Sequence, residues 1–173
     1  MSMFDSAGIE GRARRFGSDV STDYIISSRR KKETIDTDVL KKHIFEDIDP
    51  GFFGTLKPND IIVAGANFGC GSAMEIAVTV LLSAGIRVVV AEGFARTFLR
   101  NAFNNGLVAL TADVGAVAEG ELINLSGLNT GNATVRRAGE REIVCEAIPV
   151  FMLDILKKGG LVPYMKANKR FIE

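Results

Sequence analysis

Apolar residues along this chain fall into two patterns. Asp60-Ile61-Ile62-Val63-Ala64 and Ile86-Arg87-Val88-Val89-Val90-Ala91 are short, almost unbroken hydrophobic runs, the pattern of strands covered on both faces of a parallel sheet. Between them a helix of about Ala73 to Ala84 carries Glu75, Thr79 and Ser83 at four-residue steps and is otherwise apolar, so it is buried on most sides. Gly85 ends that helix, and strand, helix and strand make a βαβ unit with a right-handed crossover. Ala95, Phe98, Leu99, Ala102 and Phe103 then recur at helical spacing, with Arg96, Arg100 and Asn104 on the opposite, wet face. Asn104-Asn105-Gly106 stops this second helix, and Leu107-Val108-Ala109-Leu110 predicts a third parallel strand.

From Gly115 to Ala147 the texture changes. Glu121 to Leu125, Ala133 to Arg136 and Arg141 to Cys145 are short segments separated by Gly and Asn turns, which predicts small antiparallel strands. Pro149 suits the start of a closing helix with Val150, Leu153, Ile155 and Leu156, stopped by Gly159-Gly160. Upstream, Gly11 to Gly17 reads as an edge strand, Ser18 to Asp23 as a polar turn, and Asp36 or Thr37 as the cap of a short helix carrying Val39, Leu40 and Ile44. His43, the only histidine, falls in that helix and is read as a surface residue. The fold class expected is α/β: one swivel-type β/β/α domain over residues 11–173, with a parallel βαβ core and a small antiparallel β excursion, after a flexible lead-in at 1–10.

Composition narrows the function. In 173 residues, 21 basic and 21 acidic side chains cancel, which removes any general electrostatic attraction to nucleic acid or an anionic membrane. No apolar run is long enough to span a bilayer, and Met1 to Asp5 lacks the features of a signal peptide, so a cytoplasmic protein is expected. Cys70 and Cys145 lie far apart with no metal-ligand spacing, so no metal or iron–sulfur cluster is expected on this chain.

The chemistry points to Gly65-Ala66-Asn67-Phe68-Gly69-Cys70-Gly71-Ser72-Ala73-Met74-Glu75, a glycine-rich crossing from strand end to helix start. Ser72 and Glu75 stand in the S-x-x-E relation of a capping box. Backbone N–H groups, a helix dipole and one hydroxyl favour a carboxylate, a phosphate or a developing oxyanion. The P-loop lysine and the G-x-G-x-x-G spacing are both missing, and no histidine accompanies Ser72 or Cys70 to make an ordinary hydrolase. Ser27-Ser28-Arg29-Arg30-Lys31-Lys32 reads as a solvated loop or, alternatively, as a carboxylate or phosphate clamp.

Asn67 to Ser72, Gly85-Ile86-Arg87, Phe94-Ala95-Arg96 and Arg100 to Leu107, in that order, closely resemble the small subunits of 3-isopropylmalate dehydratase, swivel domains of the aconitase superfamily. Phe16-Gly17, Ser21 to Ile26 and Gly159 to Val162 extend the resemblance over most of the chain. It implies a hydro-lyase acting on a malate-type 2-hydroxy diacid, active only with an aconitase-like large subunit that carries a [4Fe–4S] cluster. It implies Ser72 as the proton-transfer base, Asp23 as a second catalytic-site residue, and substrate binding by Arg29, Arg30, Gly71 and Ala73. 3-Isopropylmalate, in leucine biosynthesis, is the default substrate.

Two departures from the family pattern bear on that expectation. Ser72-Ala73-Met74-Glu75 stands where the family has Ser-Ser-Arg-Glu, and Ser27 to Lys31 replaces Pro-Ala-Arg-Tyr-Leu. The substrate cation has moved to the basic loop, or the substrate is another alkylated malate such as dimethylmalate, or the chain is a non-catalytic assembly or regulatory subunit. Self-association of the isolated chain is a further alternative.

Overall fold

The computed structural model describes residues 3–4 and 8–168; the rest of the expected lead-in and the last five residues lie outside the described residues. A seven-stranded mixed sheet organises them: β1 (Ile9–Arg15), β2 (Ile61–Ala64), β3 (Val88–Ala91), β4 (Val108–Thr111), β5 (Leu122–Ser126), β6 (Thr134–Arg137) and β7 (Ile143–Val144). Their spatial order is β4-β3-β2-β1-β5-β6-β7. The first four are parallel, and β5, β6 and β7 continue the sheet antiparallel from the other side of β1.

The continuous apolar runs are explained by their alternation between two cores. Ile62 and Ala64 of β2, with Val89 and Ala91 of β3, face one cluster; Ile61, Val63, Val88 and Val90 face the other. The first core is closed by α5 (Ile76–Ser83), whose Ala77, Val78, Val80 and Leu81 are buried. The second takes in Ile123, Leu125 and Val135 from β5 and β6, and Leu153 and Leu156 from α7 (Val150–Lys157). Between the two lies α6 (Arg96–Asn105), with Phe98 and Ala102 in the first core and Phe103 in the second. Gly106 ends α6 in the left-handed conformation, as the Asn-Asn-Gly sequence predicts.

Four details differ from the sequence reading. Gly11 to Gly17 is no edge strand: β1 is central and paired on both sides, with Arg12 and Arg14 held by the buried Asp60 and Arg14 also by the exposed Glu119. The end of the polar turn runs into one short helix and the basic loop forms another, α1 (Thr22–Ile25) and α2 (Ser28–Glu33), capped by the hydroxyls of Ser21 and Ser27. Arg30, Lys31 and Lys32 sit in the last turn of α2, where the helix dipole favours them. Asp36 caps the next helix as expected, but that helix, α3 (Thr37–Leu40), stops short of Ile44; a 3₁₀ turn Lys41–His43 follows, and an unexpected α4 (Phe52–Thr55) precedes β2. Finally, α8 (Leu161–Ala167) extends past the Gly159-Gly160 stop.

Candidate active site

The glycine-rich loop leaves β2 at its C-terminal end, flanked by the ends of β1 and β3, the position where open parallel sheets bind ligands. Its first half is fastened on both sides. Gly65 N–H donates to the Gly17 carbonyl (3.0 Å), Ala66 N–H to Ser18 Oγ (3.0 Å), Gly69 N–H to the Val20 carbonyl (2.8 Å) and Phe68 N–H to the Gly93 carbonyl (2.9 Å). Beneath it, the fully buried Phe68 meets Phe98 edge-on at 5.2 Å between ring centres. Gly69, at φ +79°, lies directly on Phe98: a Cβ there would be 2.2 Å from Cγ of that ring.

Beyond Cys70 the loop opens to solvent. Gly71, Ser72 and Ala73 are exposed, and among the described residues neither their N–H groups nor the Ser72 hydroxyl finds an acceptor or donor. The capping box is not formed. Helix α5 begins only at Ile76, its N-cap is Glu75, and no side chain caps it. Ser72 stands three residues earlier because Gly71 turns the chain at φ +89° and the Ser72 carbonyl is claimed by Thr22 Oγ1 (3.0 Å) and by Met74 N–H (2.8 Å). The backbone is thus pinned while the hydroxyl is left free, beside consecutive N–H groups that can receive negative charge.

Helix α1 supplies both that anchor and the next residue of the site. Asp23 accepts from Ser28 Oγ at 2.6 Å and from Lys31 Nζ at 3.0 Å. The Ser28 bond first, and the Lys31 bond second, hold its carboxyl below the usual carboxylate range. Lys31 Nζ also lies 3.0 Å from Met74 Sδ, so α2 reaches the loop through this lysine. Asp23, Ser72, Gly71 and Ala73 are therefore assembled in one region. Arg29 and Arg30 are not turned to it: Arg30 grips Glu46 with Nε (2.8 Å) and Nη2 (3.1 Å), and Arg29 Nη2 reaches the same carboxylate at 3.3 Å.

Reading Ser27 to Lys32 as a loop does not separate Lys31, which reaches Asp23 and Met74, from Arg30, which reaches Glu46. In a helix, successive side chains are about 100° apart, so Arg30 and Lys31 face different neighbours. The pair Ser27-Ser28 ahead of the cations was the available helix-start signal. A cavity of about 700 Å³ opens elsewhere, lined by Ile9, Ile61, Val88, Gly106 and Leu156. The Ser72 region is an open face rather than an enclosed pocket. No group of three or more His, Cys, Asp or Glu side chains among the described residues is placed to hold a metal ion. Cys145 is buried, which pushes its thiol up to about 11.

This parallel sheet extended by antiparallel strands is shared with proteins of one class. Residues 12–114 match the family model of the aconitase C-terminal domain. The chain is 44% identical over 158 residues to 3-isopropylmalate dehydratase small subunit 2 of Archaeoglobus fulgidus, covering 91% of this chain and 94% of that one. It is 39% identical over 161 residues to the methanogen homoaconitase small subunit of Methanocaldococcus jannaschii, with 93% of each covered. The crystal structure of 3-isopropylmalate dehydratase from the latter organism superposes with a TM-score of 0.86 at 38% identity, over 95% of this chain and 96% of that one. The chain belongs to the family of small subunits of 3-isopropylmalate dehydratase and homoaconitase-type hydro-lyases. It is accordingly one subunit of a heteromeric lyase, built to work with a large subunit. No helix among the described residues is long and apolar enough to cross a membrane.

Proposed function

We propose that this chain closes over an aconitase-like large subunit to dehydrate and rehydrate a malate-type 2-hydroxy diacid, 3-isopropylmalate first among candidates, with Ser72 as the proton-transfer base. The observation that carries the reading is the free Ser72 hydroxyl held by a pinned backbone on an open face. The [4Fe–4S] centre of this reading belongs to the large subunit, where it would bind the substrate hydroxyl and carboxylate. On this chain, the serine oxygen takes a proton from substrate carbon during dehydration and returns it during rehydration. A serine does this only if its alkoxide is stabilised, and the free N–H groups of Gly71, Ser72 and Ala73 point to that role. The names of the relatives support 3-isopropylmalate as the diacid, alongside homoaconitate-type acids, which carry a third carboxylate, and the change at Ala73 and Met74 keeps the diacid dimethylmalate beside it.

The test is reconstitution of the pair and a dehydration assay against these diacids. Ser72→Ala is expected to lower turnover by about 10²- to 10⁴-fold, the usual worth of a positioned proton-transfer group. Because the hydroxyl is exposed and unbonded, stability should change by no more than about 0.5 kcal/mol. Turnover near the wild-type level would overturn the assignment of the base. The same departure at Ala73 and Met74 favours a second reading, a non-catalytic assembly subunit, which requires that the assembled pair with its cluster intact turn over none of the diacids.

A further inference from the structure

Lys31 occupies an unusual position for a lysine. Its side chain is only 8% exposed, one good acceptor, Asp23 Oδ1, lies at 3.0 Å, and its other close contact is the thioether of Met74 at 3.0 Å. An ammonium has three donors, and a thioether is a weak acceptor. Asp23 is itself shared with Ser28. A charge that is mostly out of water and this thinly partnered gains from any further anion within reach. The anion would have to arrive at the Ser72 loop, because Met74 is two residues from Ser72 and donates its N–H to the Ser72 carbonyl. That carbonyl is also bound by Thr22, the neighbour of Asp23, so Ser72, Thr22, Asp23, Lys31 and Met74 form a closed circuit of contacts.

We propose that Lys31 is a substrate-binding residue that takes one carboxylate of the hydroxy diacid, the carboxylate displacing the Met74 thioether from the ammonium while Asp23 acts as a positioning residue that holds the lysine toward the loop. This rests on the reading of the chain as a hydro-lyase small subunit with Ser72 as base. Several features fit it. Met74 is unbranched and flexible enough to swing aside. Arg29 and Arg30, the other cations of α2, are already held by Glu46. A three-donor ammonium can bridge two carboxylates, so Asp23 need not be released when the substrate binds. Asp23 stays ionised, its proton affinity lowered by the bonds from Ser28 and Lys31, so it serves as a counter-ion rather than as a proton acceptor.

The experiment is steady-state kinetics of the reconstituted two-subunit enzyme on the diacid that the wild-type pair turns over. Lys31→Met is expected to raise KM by about 10- to 100-fold, the worth of one hydrogen bond to a charged group, with a much smaller change in kcat. Adding Met74→Arg to that variant returns a cation to the same spot and is expected to recover most of the loss. Asp23→Asn is expected to raise KM in the same sense, and to add little on top of Lys31→Met; full additivity would overturn the positioning role. If Lys31→Met does not assemble, Lys31→Gln, which keeps a donor for Asp23 without the charge, reads the same quantity. A KM within about twofold of wild type in the neutral variant, with Ser72→Ala still inactive, overturns this proposal and leaves the serine assignment standing. A wild-type pair that turns over no hydroxy diacid overturns both.

Discussion

Glu46 shows how a single residue determines which cations of α2 are free. It accepts from Arg30 twice, from Arg29, and pairs with His43 Nδ1 at 2.8 Å. The Arg30 bonds dominate and outweigh burial, bringing its carboxyl from an ordinary 4.5 down to about 2. A carboxylate with a depressed folded-state value contributes stability that is complete above 4.5 and lost as the pH falls toward about 2. Since the carboxylate is partly solvated, the contribution is about 1 kcal/mol rather than the full value of the shift. Denaturant unfolding followed between those pH values should therefore be flatter for Glu46→Gln than for the wild type; equal slopes would remove Glu46 from the acid response. This residue also marks the limit of sequence reading. The run of cations reads in sequence as a solvated loop or a ligand clamp, and the acid 16 positions downstream that takes Arg30 is not legible because it depends on how the α2–α3 segment folds back.

At the scale of the element, the loop after β2 contains two glycines with the same backbone need and different surroundings. Gly69 and Gly71 have φ values of +79° and +89°, but a Cβ on Gly69 would strike Phe98 at 2.2 Å, whereas on Gly71 its nearest neighbours are at 3.6 Å. Alanine in the left-handed conformation costs about 1–2 kcal/mol, so Gly71→Ala should lose roughly that much. Gly69→Ala adds overpacking against a buried ring and should lose about 2–5 kcal/mol in total, measured by urea denaturation. Equal losses would show that Phe98 yields freely. The loop and its flanking strands were legible because runs without polar alternation specify strands buried on two faces, and the Asn104-Asn105-Gly106 stop marked the end of α6. The start of α5 was not. Ser72-x-x-Glu75 satisfies the local rule for a cap, but Thr22 holds the Ser72 carbonyl, and a residue 50 positions away decides where the helix begins. Helices of four to six residues, such as α1 and α2, carry too little periodicity to separate them from turns.

Across the whole molecule, β1 is the seam between the parallel and antiparallel halves, and it carries three arginines, Arg12, Arg14 and Arg15, where a central strand ordinarily carries none. Arg14 is 6% exposed in its side chain, donates from Nε to Glu119 at 3.0 Å, lies 3.5 Å from Asp60 and 3.7 Å from Asp49, and rests over Phe52 at 4.4 Å from the ring centre. Arg12 meets Asp60 through Nε at 3.1 Å and Nη2 at 2.6 Å. Burial works against the Asp60 charge, but the Arg12 and Lys57 bonds more than offset it, and the carboxyl is held below its usual range. Asp60 immediately precedes β2, so one nearly inaccessible carboxylate balances two cations of β1 and ties it to the parallel half, while Glu119 ties the same strand to the connection that leads into β5. Removing one member of a buried ionic group leaves the others uncompensated, at a cost of about 3–5 kcal/mol. Asp60→Asn is therefore expected to lower the unfolding free energy by about 3 kcal/mol, with the denaturant dependence unchanged because the same surface is exposed on unfolding. A loss below about 1 kcal/mol would mean that Glu119 and Asp49 suffice for Arg14 and that water reaches Arg12, whose side chain is 27% exposed.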